Sequence, residues 1–339
     1  MLEEPIARMS IPRDEQPLVS VVTPVYNGAE YLAECIESVL KQTYVNWEYV
    51  IVDNCSTDGT LEIARKYEAR DQRLRVISPG VFVDLVESGN RSLREISPAS
   101  KYTKVLHADD WLFPECLARM VELAERNPTV GVVSAYRLEE TRVTLTGLPH
   151  SVSVLSGRDI CRSTLLGGPY PHLFGSPTSL LIRSDLVRAR DPFYDPDYDV
   201  SEEYPFTEDL AVCCEILRNS DLGFVHQVLT FTRRDDRSPF SKFGRLGANL
   251  PEHINLISRY GPVYLTKPEY QRIVAVYLVR YGLFLLKSLP RLANPELRAY
   301  HRPATRRILS SIEARDVVDG VWLQLQRMRK RRPLRARRA

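Results

Sequence analysis

The chain has 339 residues, 44% hydrophobic and 26% charged, the balance of an ordinary globular protein with one large core, or one domain plus a smaller appendage. Its formal charge of +3 does not describe the body, because eight Arg or Lys residues crowd into 327–339 with no acid among them. Without that tail 38 basic residues face 43 acidic ones, so the basicity excludes nothing and implies nothing about what the folded body binds.

Strand and helix signals alternate from Leu18 onward. Leu18-Val19-Ser20-Val21-Val22 is a β-branched run suited to a buried parallel strand, followed by a polar turn over Thr23–Gly28. Leu32, Cys35, Ile36, Val39 and Leu40 recur at helical spacing. Trp47–Val52 is the next strand, and Ser56-Thr57-Asp58-Gly59 offers N-cap candidates for a helix through Tyr67. Leu74–Ser78, Tyr102–His107 and Val130–Ala135 read as further strands, Leu85–Ile96 and Pro114–Arg126 as their helices. This alternation predicts an α/β fold with a mostly parallel sheet flanked by helices.

Beyond Tyr136 the pattern loosens. Gly167–Pro171 and Asp191–Pro196 are loop-formers, and Ser179–Arg183 between them reads as a strand. Phe206–Leu210 opens a helix with Leu210, Cys213, Cys214 and Leu217 on a buried face, and Gly223–Thr232 is strand-like. From about Phe240 the chain reads as helical. The domain boundaries expected are a tail over 1–16, a main α/β domain over 17–240, a helical extension over 241–326 and a basic tail over 327–339.

The six cysteines form no CxxC pair and have no His spacing suited to zinc, so free, buried thiols in a reducing compartment are expected. The first sixteen residues are of mixed charge, hold Pro5 and Pro12, and do not read as a signal peptide. The longest apolar stretch, Ile273–Leu286, is interrupted by Arg280 and is too short to span a bilayer. The expected location is cytoplasmic, with the basic tail offering a peripheral contact to an anionic membrane. A solvated tail is the plainer reading, and nucleic acid binding is not expected without interleaved aromatics.

Two acids, Asp109-Asp110, sit where the strand Tyr102–His107 stops, and Asp53 ends the upstream strand Trp47–Val52. Adjacent carboxylates are the oxygen ligands that Mg²⁺ or Mn²⁺ takes alongside substrate phosphates; the alternative is a cap for the helix from Pro114. Asp53 suits a ribose or base, or a turn held by its own side chain. Glu208-Asp209 either favours the first turn of a helix or supplies a general base. The first turn has neither GxGxxG nor a P-loop, which argues against the usual dinucleotide and ATP sites.

Five ordered segments carry a resemblance. Val19–Gly28, Ser38–Tyr44, Val52–Thr60, His107–Trp111 and Thr207–Asp209 together resemble glycosyltransferase family 2, over about Leu18 to Ser238. That resemblance implies a GT-A fold, with a C-terminal helical extension here. It also implies inverting transfer of a sugar from a nucleotide donor, a UDP-sugar being favoured. Pro24, Tyr26 and Asp53 would line the nucleoside pocket. Asp109 would sit at the ribose and metal, and Asp110 would bind the Mn²⁺ or Mg²⁺ that bridges the diphosphate. Asp209 would be the base that activates the acceptor hydroxyl, supported by Glu208, and Arg233 would offset diphosphate charge.

The chain departs from the family pattern at His107, where an acid is common, and at Asn54-Cys55, where an acid and glycine usually follow Asp53. Ser78–Asp84 is an atypical lead-in to the third helix, and Gly89–Ser92 is expected to carry the family's Asn and Arg contacts. The function expected is transfer of single sugars to a glycan or lipid-linked acceptor in cell-envelope polysaccharide synthesis. The alternatives are a non-catalytic sugar-nucleotide-binding scaffold and a nucleotidyltransferase; the latter would need a glycine-rich phosphate loop that Pro24–Gly28 is not.

Overall fold

A computed structural model describes residues 11–12, 15–168, 173–198, 208–234, 244–288 and 294–330. The chain falls into two compact units. One comprises Met1–Ile160, His172–Pro196 and Glu208–Asp235, the other Cys161–Pro171, Asp197–Thr207 and Asp236–Ala339. Thr207, Ser238 and 331–339 of the basic tail lie outside the described residues.

The first unit is built on a mixed sheet. β1 (Val19–Val25), β2 (Trp47–Asp53), β3 (Leu74–Ile77) and β4 (Tyr102–Val105) are parallel, with β1 between β2 and β4. Between them run α1 (Leu32–Leu40), α2 (Thr60–Glu68) and α3 (Leu85–Arg94). After β5 (Trp111–Leu112) and α4 (Cys116–Arg126) come β6 (Val130–Glu139), β7 (Arg142–Thr144), β8 (Val154–Leu155) and α5 (Gly157–Leu165). β9 (Leu181–Arg183), α6 (Ser184–Arg188), α7 (Glu208–Ile216) and β10 (Asp221–Thr232) follow. The order across the sheet is β3-β2-β1-β4-β9-β6-β10-β5. β9 runs antiparallel between β4 and β6, while β10 is parallel to β6.

The core explains the pattern. β1 and β2 are buried on both faces, as continuous apolar runs in a parallel sheet require. α1 covers them with Leu32, Cys35, Ile36 and Val39, all fully buried. Each such side chain stabilises the fold by about 1.5–3 kcal/mol, which makes this block a rigid platform. All six cysteines are free, and five are buried, Cys55 being the partly exposed one.

Several boundaries differ from the sequence expectation, each for a local reason. β1 continues through Thr23-Pro24-Val25 rather than turning. Its ladder to β4 ends at Val22↔Val105, so Pro24 lies beyond it, where a missing N–H does least harm. α2 takes Gly59 as N-cap without a side-chain bond, and Asp58 instead accepts from the Thr60 N–H at 2.9 Å. Pro177–Ser179 forms a 3₁₀ turn, leaving only Leu181–Arg183 as strand.

The second unit is helical where described: α8 (Asn249–Tyr264), α9 (Lys267–Lys287), α10 (Pro295–Ser311) and α11 (Ala314–Lys330). Thr266 and Glu269 form a reciprocal capping box at the start of α9. The buried Glu252 accepts from the Tyr300 hydroxyl at 2.8 Å, and buried His301 lies between Tyr281 and the Leu246 carbonyl. Among the described residues no helix is long and apolar enough to cross a membrane.

Candidate active site

The parallel register brings the C-terminal ends of β1, β2 and β4 to one edge, where open α/β sheets take their ligands. Val25 pairs with Asp53, so Tyr26 leaves β1 beside the end of β2. Pro24 is partly buried in β1, and Tyr26 is half exposed. Asp53 is buried, and its carboxylate accepts from the Ser56 N–H at 3.3 Å and from the Ser78 hydroxyl at 3.1 Å. It thus shapes its own turn and ties that turn to the segment after β3.

The loop after β1 is stitched to the loop after β2. The Asn27 N–H donates to Ser56 Oγ, Gly28 N–H to Thr60 Oγ1, and the Thr57 N–H to Asn27 Oδ1. A Cβ on Gly28 would stand 2.7 Å from a methyl of Val25, so only glycine fits this approach.

Past β4, His107, Asp109 and Asp110 present ligand atoms that all lie within 4.8 Å of one another. Asp110 is buried, with Oδ1 accepting from the Arg233 N–H at 3.0 Å and Oδ2 from the Thr232 hydroxyl at 3.3 Å. Burial pushes its carboxyl up from the ordinary range, His107 pulls it down, and Asp109 raises it again. Two carboxylates with an imidazole at this spacing fit a divalent ion, and the oxygen donors suit Mn²⁺ or Mg²⁺.

Arg233 closes one side of this cluster. Its Nε donates to the Asp109 carbonyl at 3.2 Å, its Nη2 reaches Glu34 at 2.8 Å, and its guanidinium lies 4.1 Å from the centre of the Tyr31 ring. Behind it Trp111 and Phe231 stack with centroids 3.4 Å apart. The β10–β5 pairing of Phe231 with Trp111 is what delivers Arg233 to the acids.

Glu208 and Asp209 open α7, as the first-turn preference of acids leads one to expect. Asp209 is nonetheless held near neutrality: burial and then Glu208 raise it to about 7, against the opposing pull of His107 and a hydrogen bond from Tyr194. One imidazole therefore acts on both Asp110 and Asp209, linking the two acidic sites.

Sequence reasoning missed how this site is supported. Tyr194 donates to Asp209, and is itself fixed by Asn90 through both backbone groups, at 2.7 and 2.8 Å. Gly89 lies against the Tyr194 ring, where a Cβ would stand 3.3 Å away. Lys104, fully buried in β4, donates to the Thr178 carbonyl at 2.5 Å, and Thr178 Oγ1 accepts from the His107 N–H. Glu34 and Tyr31 hold Arg233 from α1 and its lead-in. Of the segment Gly89–Ser92, Asn90 is committed to Tyr194 and Arg91 to the Val81 carbonyl at 2.9 Å.

Comparison with known proteins bears on the family and the fold. TuaG of Bacillus subtilis (strain 168), named for teichuronic acid biosynthesis, is 31% identical over 153 residues, 45% of this chain and 60% of its own. An uncharacterized glycosyltransferase of Haemophilus influenzae is 27% identical over 202 residues, 58% of this chain and again 60% of its own. The chain thus matches about 60% of the length of these relatives.

Among solved structures, S. aureus TarS 1-349 in complex with UDP-GlcNAc superposes with a TM-score of 0.60 at 16% identity, covering 93% of this chain and 92% of that one. The Pyrobaculum calidifontis mannosyltransferase PcManGT, in complex with GDP-Man and Mn2+, gives 0.52 at 16%, covering 93% and 91%. At those identities the likeness speaks for the fold, which is GT-A. The sequence model described as Glycosyl transferase family 2 matches residues 20–189, half of the chain, a span that takes in β2, β3, β4 and all but the first residue of β1. On that match, the chain belongs to glycosyl transferase family 2.

Proposed function

We propose that this protein is an inverting, divalent-metal-dependent glycosyltransferase. It moves a single sugar from a UDP-sugar to a hydroxyl of a glycan or lipid-linked acceptor in cell-envelope polysaccharide synthesis. The observation that carries the reading is Asp209, a partly buried carboxylate that desolvation and Glu208 raise to about 7, with a hydrogen bond from Tyr194 and His107 within electrostatic reach. A base poised there is ionised in part at neutral pH and strong enough to take a hydroxyl proton.

The roles follow from position. Pro24, Tyr26 and Asp53 receive the nucleoside at the ends of β1 and β2. Asp109 and Asp110, with His107 beside them, would hold a divalent ion. Bound there, it would offset the negative charge that builds on the leaving diphosphate. Arg233 adds a fixed cation at the same place. The bond from the acceptor oxygen to the anomeric carbon forms as the carbon–oxygen bond to the diphosphate breaks. The acceptor's proton passes to an Asp209 carboxylate oxygen, with Glu208 keeping that group basic.

The donor assignment draws support from TarS, solved with UDP-GlcNAc, and the envelope setting from the name of TuaG. The basic run over 327–339 suits an anionic membrane surface carrying a lipid-linked acceptor. The test is Asp209→Asn, assayed with a panel of UDP-sugars and Mn²⁺. Donor binding at the wild-type level with turnover reduced at least about a thousandfold is expected, since only the base is lost. Near-normal turnover removes Asp209 from the chemistry.

A further inference from the structure

Among the described residues of the first unit, four exposed large apolar side chains lie in the segments that follow β1 and β3. Tyr26 is 50% exposed, Val81 62%, Phe82 58% and Leu85 59%. Tyr26 and Phe82 touch, ring centroids 5.0 Å apart with planes at 64°. Two exposed aromatic rings in contact mark an interaction site more readily than scattered apolar side chains do.

Phe82 is held there. It lies in the loop between β3 and α3, where the buried Asn54 binds Val83 from both sides. Asn54 Nδ2 donates to the Val83 carbonyl at 2.8 Å, and the Val83 N–H donates to Asn54 Oδ1 at 3.0 Å. Arg91 donates to the Val81 carbonyl at 2.9 Å, so both neighbours of Phe82 are fixed. Asn54 is itself anchored to β1, its N–H donating to the Val25 carbonyl at 2.8 Å. Asn54 thus joins the end of β1, next to Tyr26, to Phe82's loop through its backbone N–H and its side-chain amide, with Asp53 next to it in the chain.

We infer that Phe82 is a second aromatic contact for the donor's nucleobase, presented by Asn54, and that the two rings together form the corner in which the base sits. This rests on the donor-site reading above. At 5.0 Å between centroids nothing fits between the rings, so a planar base lies flat on one ring and meets the other along its edge. A base is the occupant of fitting chemistry: it is flat and aromatic, and Asp53 stands at the adjoining strand end. Asn54, which replaces an acid common in the family, acts as a positioning residue for Phe82.

The experiment titrates wild type, Phe82→Ala, Asn54→Ala and the double variant with UDP and with pyrophosphate, each with Mn²⁺, by calorimetry. Phe82→Ala is expected to weaken UDP about tenfold, near the lower end for an aromatic–base contact, and to leave pyrophosphate unchanged. Asn54→Ala is expected to lose UDP affinity in the same base-dependent way, and to add little once Phe82 is gone. UDP affinity within twofold of wild type in Phe82→Ala, or an equal loss for pyrophosphate, overturns the inference and leaves the donor site standing. So does a Phe82→Ala variant that changes only the oligomeric state, which would make the cluster a contact between copies. Wild type that binds pyrophosphate and no better UDP brings down the donor-site reading, and this inference with it.

Discussion

Asn90 grips Tyr194 by both of its backbone groups, accepting from its N–H at 2.7 Å and donating to its carbonyl at 2.8 Å across 104 residues of sequence. The Tyr194 hydroxyl then donates to Asp209, the carboxyl that burial holds near 7. α3 thereby bears on the position of Asp209 on α7. Tyr194→Phe removes one influence that favours the ionised form, so Asp209 moves further above 7. The acid limb of the kcat profile is expected to shift to higher pH by about half a unit to one unit, the worth of one neutral hydrogen bond. A pH–rate profile with an unmoved or acid-shifted limb contradicts this link.

Asp209 also bears on stability, with a definite sign. Its folded value of about 7 stands above the ordinary 3.8, so the folded chain holds a proton that the unfolded chain has released. That stabilising contribution is complete below about pH 4 and is lost as pH rises through 7. Asp209→Asn never has to bury the charge. Its melting temperature is expected to exceed that of wild type by a margin that grows from pH 4 to pH 8, equivalent at most to about 4 kcal/mol. Thermal unfolding across that range checks it; a margin that shrinks with pH contradicts it.

Glu34 competes for the cation assigned to the diphosphate, since Arg233 Nη2 lies 2.8 Å from it on a largely exposed carboxylate. An exposed pair of this kind is worth about 0.2–1 kcal/mol. Glu34→Gln is therefore expected to tighten UDP binding about two- to fivefold at low salt, the gain fading as salt rises. Unchanged or weaker binding at low salt means that Arg233 does not serve the diphosphate.

Much of the first unit was legible because β1 and β2 are apolar over their whole length, and α1 repeats its buried residues at helical spacing. β5 and β8 were not, because two residues carry no periodicity. The antiparallel insertion of β9 between β4 and β6 escaped for a related reason: alternation of strands and helices predicts parallel neighbours, and three residues cannot announce an exception. Asp109, Asp110 and Arg233 were legible as a motif, and the structure brings them into mutual contact.

The supports of the site were hidden by chemistry as well as distance. Lys104 sits among strand residues, where a lysine reads as solvent-facing, yet it is fully buried against Thr178. Asn54 reads as a turn residue, and its side-chain partner lies 29 residues away. Glu208-Asp209 satisfied a helix-start rule well enough to conceal a shifted carboxyl. Both descriptions hold, because an acid can sit in the first turn of a helix and still be desolvated by what packs over it.

Calorimetric titration of wild type and Asp110→Ala with UDP, GDP and dTDP, each with Mn²⁺ and with EDTA, asks whether the chain holds a nucleotide through a metal at Asp110. UDP binding by wild type is expected on the order of micromolar with Mn²⁺, at least about tenfold weaker in EDTA. Asp110→Ala in Mn²⁺ is then expected to match wild type in EDTA. No nucleotide binding under any condition, or an equal loss from Asp110→Ala with and without metal, contradicts it.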